Sequence, residues 1–260
     1  MAGEASTGTF LQGLERGLAV IRAFSAAAPS LTLSEVARDV GITPATARRI
    51  LLTLEELGYV RSDGRRFSLT PRVLALGWAY LSSLDLGELA GPFMEELSAK
   101  TQESCSIATL DLPDIVYVAR VPTSRIMTVA LGVGARLPAY VTSMGRVLLA
   151  GLSDGELSAY LSTLKPEPLT DRTVISIDKL RDVIKRAGAD GYALVDQELE
   201  LGLRSIAVPI HDARGRAIAA LNVSAHASRS TPTSLRADVL PHLRTAADQI
   251  TTALTHRGRL

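Results

Sequence analysis

LTLSEVARDVGITPATARRILLTLEELGYV, residues 31–60, reads as two short helices divided by a glycine. Thr32 stands as an N-cap with Glu35 three residues on, the pattern of a capping box. Leu31 and Val36 are spaced as its hydrophobic staple. Leu33, Val36, Ala37 and Val40 make one apolar face, and Gly41 ends the helix. The chain restarts at once. Thr43 caps a second helix and Pro44 takes its first position, where a missing N–H costs nothing. Ala47, Ile50, Leu51, Leu54 and Leu57 form its apolar stripe, and Gly58 stops it. The next residues, YVRSDGRRFSL (59–69), read as a hairpin turning at Asp63-Gly64.

Helix, tight turn, helix and a short hairpin with Arg65 and Arg66 at its tip is the pattern of a winged helix-turn-helix. Such a unit docks on double-stranded DNA. The polar face of the second helix carries Thr46, Arg49 and Thr53, with Arg48 at its edge. Arginine grips guanine edges with two hydrogen bonds, and threonine meets a phosphate or a thymine methyl. The short side chains of Ala45 and Thr46 permit close approach, and the Thr43 cap brings backbone N–H groups toward a phosphate. Residues 43–72 hold six Arg against Glu55, Glu56 and Asp63. The competing account is an ordinary surface helix pair with a solvated charge run, and the arginine-bearing hairpin weighs against it.

Outward from this unit, residues 10–25 read as an amphipathic helix with Leu11, Leu14, Leu18 and Ile21 on one side. It is longer than a helix-turn-helix needs and is a candidate dimer contact; the alternative is packing on its own domain. Thr70-Pro71 starts a helix running through the low 80s. Beyond it the pattern expects helices at 86–101, from about 143, at 177–187 and at 234–255, with a polar loop near Pro166 and Pro168. Strands are expected at 104–110, 115–121, 126–131, 192–196, 204–210 and 217–224. The domains follow: residues 1–70 for DNA, 71–84 as a linker helix, and 85–260 for effector binding and oligomerisation.

The whole chain sets limits on function. It has 260 residues, 47% of them hydrophobic and 21% charged, so it folds. No apolar run reaches the roughly 18 residues of a membrane span, and the N-terminus lacks a secretory pattern, so a cytoplasmic protein with no membrane partner is expected. Cys105 is the only cysteine, which excludes a disulfide scaffold or a cysteine-cluster metal site. It reads as a small buried residue. The net charge of +1 gives no global basic field, so affinity for DNA has to be local. His211, His226, His242 and His256 lack metal-ligand spacing, GVGARL (132–137) lacks the third glycine of a dinucleotide loop, and there is no Walker loop or nucleophile elbow. No metal, cofactor or catalytic residue is expected.

FLQGLERGLAVIRAF (10–24) and the segment 31–60 resemble the start of the IclR-type bacterial transcriptional regulators. The likeness continues at LPAYVTSMGRVLLA (137–150), QELELGLRSIAVPI (197–210) and AIAALNVS (217–224). It covers nearly the whole chain and is greatest to the branch controlling aromatic-acid catabolism through the β-ketoadipate pathway. It implies an α+β protein: a winged helix-turn-helix, a linker helix, and a GAF-like α/β effector domain with a mainly antiparallel sheet. It also implies a homodimer or tetramer, bound to operator DNA and answering to a small organic acid that is protocatechuate-like or β-ketoadipate-like.

Residue patterns in the second domain are compatible with a pocket. Ser205 and Ala207 share one face of their strand, and Ile218, Ala220, Asn222 and Ser224 share one face of the next. A pure core would use larger aliphatic groups there. A polar-lined cavity is one account, and satisfaction of local backbone or water at a sheet edge is the other. Thr142 or Ser143 caps a helix opening with Met144-Gly145, whose free N–H groups favour a carboxylate. A plain capped helix is the alternative. Position by position, the resemblance implies effector contacts from Ile126, Ser143, Met144, Ser205, Asn222 and Ser224, with Gly145 in the same turn and Asp196 nearby. Ser205, Asn222 and Met144 differ from the pattern of the glyoxylate-sensing member, which implies a different ligand. Asp196 is placed either to accept from a phenolic hydroxyl or, as the stronger expectation, to pair with Arg204 or Arg120. Two other functions compete: a regulator sensing glyoxylate, pyruvate or a sugar acid, and an enzyme acting on a small acid. The missing nucleophile–base and metal constellations count against the enzyme.

Overall fold

A computed structural model describes residues 10–25, 27–77, 86–123 and 132–257. The chain forms two compact units, residues 1–80 and 81–260. The expected strand at 126–131 and the expected course of the linker through 78–84 lie outside the described residues, as does Ile126.

In the first unit, helix α1 (Gln12–Ala23) packs with α2 (Leu33–Val40) and α3 (Pro44–Glu56). The capping box at Thr32 is formed: the Glu35 N–H donates to Thr32 Oγ1 at 3.3 Å, and the Thr32 N–H donates to Glu35 Oε2 at 2.7 Å. Gly41 closes α2 with a φ of 71°, a left-handed conformation that costs a side chain little only when that side chain is absent. Val20, Val36, Ala47, Leu51 and Val60 form the core. The hairpin consists of β2 (Val60–Ser62) and β3 (Arg66–Leu69). A two-residue strand absent from the sequence expectation, β1 (Leu31–Thr32), pairs with β3 and makes a three-stranded sheet. After Thr70 the chain makes a 3-10 turn, Pro71–Val73, and enters a helical turn up to residue 77.

Among the described residues, the second unit is built on a six-stranded antiparallel sheet in the order β6-β5-β4-β9-β8-β7. Its strands are β4 (Ser104–Asp111), β5 (Asp114–Val121), β6 (Arg136–Pro138), β7 (Ala193–Asp196), β8 (Leu203–His211) and β9 (Ala217–His226). Strand β6 was not anticipated. Helix α4 (Leu86–Thr101) and the last helix, α8 (Leu240–Arg257), cover one face through Met94, Leu97, Leu243 and Ile250. Short helical turns at Pro232–Ser234 and Leu235–Val239 lead into α8. The other face carries α5 (Ser143–Ala150), α6 (Asp154–Thr163) and α7 (Ile177–Asp190). The single helix expected from about 143 is two helices: Gly151 caps the first, and a capping box of Ser153 with Glu156 starts the second.

One irregularity shapes the sheet. Ile107 pairs with Ala119 but Ala108 pairs with Tyr117, so Val118 is an extra residue on β5. Regular alternation would put Tyr117 and Arg120, three apart, on opposite faces. The bulge puts both on the face covered by α5.

Candidate functional site

On the first unit, the polar face of α3 is open. Thr43, Ala45, Arg48, Arg49, Thr53 and Arg65 are exposed, and Thr46 is half-buried. Thr43 Oγ1 caps the helix by accepting from the Thr46 N–H at 3.2 Å, and the two hydroxyls lie 2.9 Å apart. The Thr53 hydroxyl donates to the Arg49 carbonyl at 2.8 Å, so that its proton is already used within the helix. At the wing, Asp63 Oδ1 accepts from the backbone N–H groups of Arg65 and Arg66 at 2.9 and 2.7 Å. Those bonds hold its carboxyl below the usual range. The two wing arginines differ. Arg65 points into solvent, whereas Arg66 donates to the Ser30 carbonyl at 2.6 Å and reaches Glu35 at 3.4 Å. The sequence grouped them as equivalent; the strand β1 contact separates them.

On the second unit, a cavity lies between the sheet and the start of α5. Its floor holds Ser205, Asn222 and Ser224, as strand parity anticipated, and Ser143 and Met144 form part of its roof. The polar groups bond to one another. Ser143 Oγ and Ser205 Oγ are 2.6 Å apart, and Asn222 Nδ2 donates to Ser205 Oγ at 3.0 Å and Ser224 Oγ at 3.1 Å. Asn222 is 3% exposed, and its Oδ1 is buried with no partner among the described residues. The free volume is about 30 Å³, room for roughly two waters.

Four lining residues on β4 and β5, Ser104, Ser106, Tyr117 and Arg120, are not read from the sequence as part of a pocket; Arg120 enters there only as a partner for Asp196. Ser106 sits between Arg120 and Asn222 in register, so the three form one row across β5, β4 and β9. Burial pushes the Tyr117 hydroxyl up to about 12, partly offset by the Arg120 charge, so it remains a protonated donor. Leu199, Leu203 and Val195 add apolar wall.

Gly145 and Asp196 take other places. The Gly145 N–H donates to Thr142 Oγ1 at 3.0 Å. A Cβ on Gly145 would fall 2.0 Å from the Ala139 carbonyl oxygen, so the glycine lets α5 pack on the preceding turn instead of lining the cavity. Asp196 is outside the lining. Its carboxylate takes Arg204 Nε at 2.6 Å and Arg172 at 3.5 Å, which is the expected ion pair with Arg204 and leaves Arg120 aside. Burial pulls the Asp196 carboxyl up, but hydrogen bonds from Arg204 and Gln197 hold it below the usual range. A second pair was not foreseen. Arg146 in α5 donates to both oxygens of Glu198 at 2.7 and 2.6 Å, and both residues are buried. Cys105 is fully buried, and burial pushes its thiol up to about 12.

The comparisons agree along the chain. A family model for the IclR helix-turn-helix domain matches residues 13–64, and one for the bacterial transcriptional regulator IclR C-terminal domain matches residues 78–252. The Pca regulon regulatory protein of Pseudomonas putida is 47% identical over 239 residues, covering 92% of this chain and 82% of that protein. The p-hydroxybenzoate hydroxylase transcriptional activator of Acinetobacter baylyi is 36% identical over 252 residues, covering 95% and 93%. Among solved structures, a transcriptional regulator from Rhodococcus sp. RHA1 superposes with a TM-score of 0.84 at 55% identity, covering 94% of this chain and 98% of that one. An IclR homolog of Microbacterium hydrocarbonoxydans, complexed with 4-hydroxybenzoate, gives 0.83 at 26% identity, covering 94% and 99%. With an open helix-turn-helix face in one unit, a polar-lined cavity in the other and both domain models matched in order, the chain belongs to the IclR family of bacterial transcriptional regulators.

Proposed function

We propose that this regulator controls genes of aromatic-acid catabolism and answers to a small carboxylic acid held in the cavity beneath α5. The observation that carries the reading is the convergence of Ser143, Ser205, Asn222 and Ser224 in one cavity whose wall also holds the apolar groups Val141, Met144, Val195, Leu199 and Leu203. Two relatives whose names tie them to aromatic-acid genes, and a neighbour holding 4-hydroxybenzoate, support the ligand class. In the free volume given above a ring does not fit, so binding moves flexible lining groups such as Met144 and Leu203 apart.

DNA is read by α3 and the wing. Arg49 reads a base, Arg48 a base or phosphate, and Thr43 and Arg65 hold the backbone. One such unit makes too few contacts for an operator, so the protein acts as a dimer or tetramer on half-sites about 34 Å apart. Exposed Leu14 and Leu18 on α1, with exposed Phe10 and Leu11 just before it, support that helix as part of the pairing surface. Calorimetric titration with protocatechuate, 4-hydroxybenzoate, β-ketoadipate, glyoxylate and pyruvate tests the reading, alongside operator affinity by fluorescence anisotropy with each acid. The expected result is saturable binding of an aromatic-pathway acid and a change in operator affinity. Binding confined to glyoxylate or pyruvate, or acid binding with no effect on DNA, would refute it.

A further inference from the structure

The two ends of the cavity differ in chemistry. At the Ser143 end, hydroxyls and the Asn222 Nδ2 group already bond to one another, Asn222 Oδ1 is left as an unpaired acceptor, and no formal charge is present. At the other end stand Ser106, Tyr117 and Arg120, all lining residues. Their side chains have no hydrogen bond or ion pair among the described residues. The half-buried and buried carboxylates nearby in sequence and fold are engaged elsewhere: Glu103 with Arg229, Asp196 with Arg204 and Glu198 with Arg146. A half-buried guanidinium on a cavity wall, without a counter-charge, favours an anion there. The Val118 bulge aims Arg120 and the Tyr117 hydroxyl at the same space.

Resting on the reading of this cavity as the effector site, we propose that Arg120 binds the effector's carboxylate, with Ser106 and Tyr117 donating beside it, and that Asn222 Oδ1 accepts from a ring hydroxyl at the opposite end. The spacing suits this. Arg120 and Asn222 flank Ser106 on its two neighbouring strands, which sets their backbones roughly 9–10 Å apart at about 4.8 Å per strand. Both side chains line the same cavity, so the two polar groups bracket the space above Ser106. The polarity suits it as well. Asn222 Nδ2 is used by two serines, so the amide presents an acceptor, and a phenol supplies the donor that a second carboxylate lacks.

The test compares protocatechuate, its uncharged amide and adipate by calorimetry on the full chain, with Arg120→Gln and Tyr117→Phe. The parent should bind protocatechuate at least tenfold more tightly than the amide. Arg120→Gln should lose that preference, weakening the acid by about 10- to 150-fold, as expected for a charge-assisted hydrogen bond, while the amide changes by about twofold or less. Thermal unfolding checks the fold. If Arg120→Gln melts early, Tyr117→Phe, which removes only an unpartnered hydroxyl, still decides: it should weaken the acid several-fold and more than the amide. Equal weakening of acid and amide, or unchanged acid affinity, would overturn Arg120 as the anchor while leaving the cavity as the effector site. Tighter binding of adipate than protocatechuate would overturn the hydroxyl assignment at Asn222. A parent that binds none of the three would overturn this proposal, and the five-acid titration above then decides the cavity reading separately.

Discussion

Replacing Glu198 by alanine isolates a buried, doubly hydrogen-bonded ion pair in the second unit. The Arg146 and Glu198 side chains are 4% and 9% exposed and meet through two parallel hydrogen bonds of 2.7 and 2.6 Å. Glu198 Oε2 also accepts from the Val174 N–H at 3.0 Å, and Arg146 Nε donates to the Tyr140 carbonyl at 2.9 Å. The alanine variant leaves a guanidinium in a dry interior with that one carbonyl as partner. Breaking a buried pair in this way costs about 3–5 kcal/mol. For a unit of 180 residues, 81–260, that corresponds to roughly 6–20 °C in melting temperature. Removing both charges should recover most of the loss, because well-packed apolar groups often match a buried pair. Differential scanning calorimetry at one protein concentration, on the parent, Glu198→Ala and the double variant Arg146→Met with Glu198→Met, measures both numbers. A Glu198→Ala protein melting within 2 °C of the parent, about 1 kcal/mol or less, would refute the argument. So would a double variant less stable than the single one.

Gly145→Ala should cost about 3 kcal/mol or prevent folding, since its Cβ meets the Ala139 backbone and nothing flexible can yield; thermal unfolding checks it. The wing arginines should separate. Arg65→Ala is expected to weaken all DNA sequences alike and lower the salt slope by about one, whereas Arg66→Ala, which loses its bonds to Ser30 and Glu35, should lower the melting temperature of the first unit. Arg49→Ala should cost about 1–3 kcal/mol in operator binding and relax one base position, read by anisotropy on a set of single-base variants. Asp196 gives a pH prediction. Its folded carboxyl lies below the usual range, so its ionised form stabilises the fold above that range, and the contribution fades as pH falls through the depressed folded value. Asp196→Asn should therefore be less stable than the parent at neutral pH, with the gap closing in acid titrated below the ordinary carboxylate range.

The helix-turn-helix was legible because its signals are local. The Thr32 capping box, the Thr43 cap, Gly41 and the Asp63-Gly64 turn each act within four residues and agree with the apolar spacing around them. The Ser205, Asn222 and Ser224 side of the cavity was legible for a related reason: parity along an unbroken strand names a face. The Tyr117 and Arg120 side was not, because one extra residue on β5 reverses parity between them, and no residue type announces it. Long-range partnerships were hidden as well. Arg146 and Glu198 are 52 residues apart, and Arg66 owes its bonds to the chain before α2. Each requires knowing which elements touch. Gly145 was read as a place for a ligand to approach, whereas the approaching group is the protein's own backbone at Ala139.

The bulge at Val118 bears on how such a cavity diversifies. On either side of it the ladder is regular, Ile115 to Tyr117 against β4 before and Ala119 to Val121 after. The two halves of β5 are therefore independent in register. Gain or loss of a residue is ordinarily confined to loops, because inside a sheet it turns every later side chain inside out. At a bulge the change is absorbed locally. Lineages of this architecture can thus alter a cavity wall by changing its length as well as its composition, and two relatives with identical residue types on this strand need not present the same groups to a ligand.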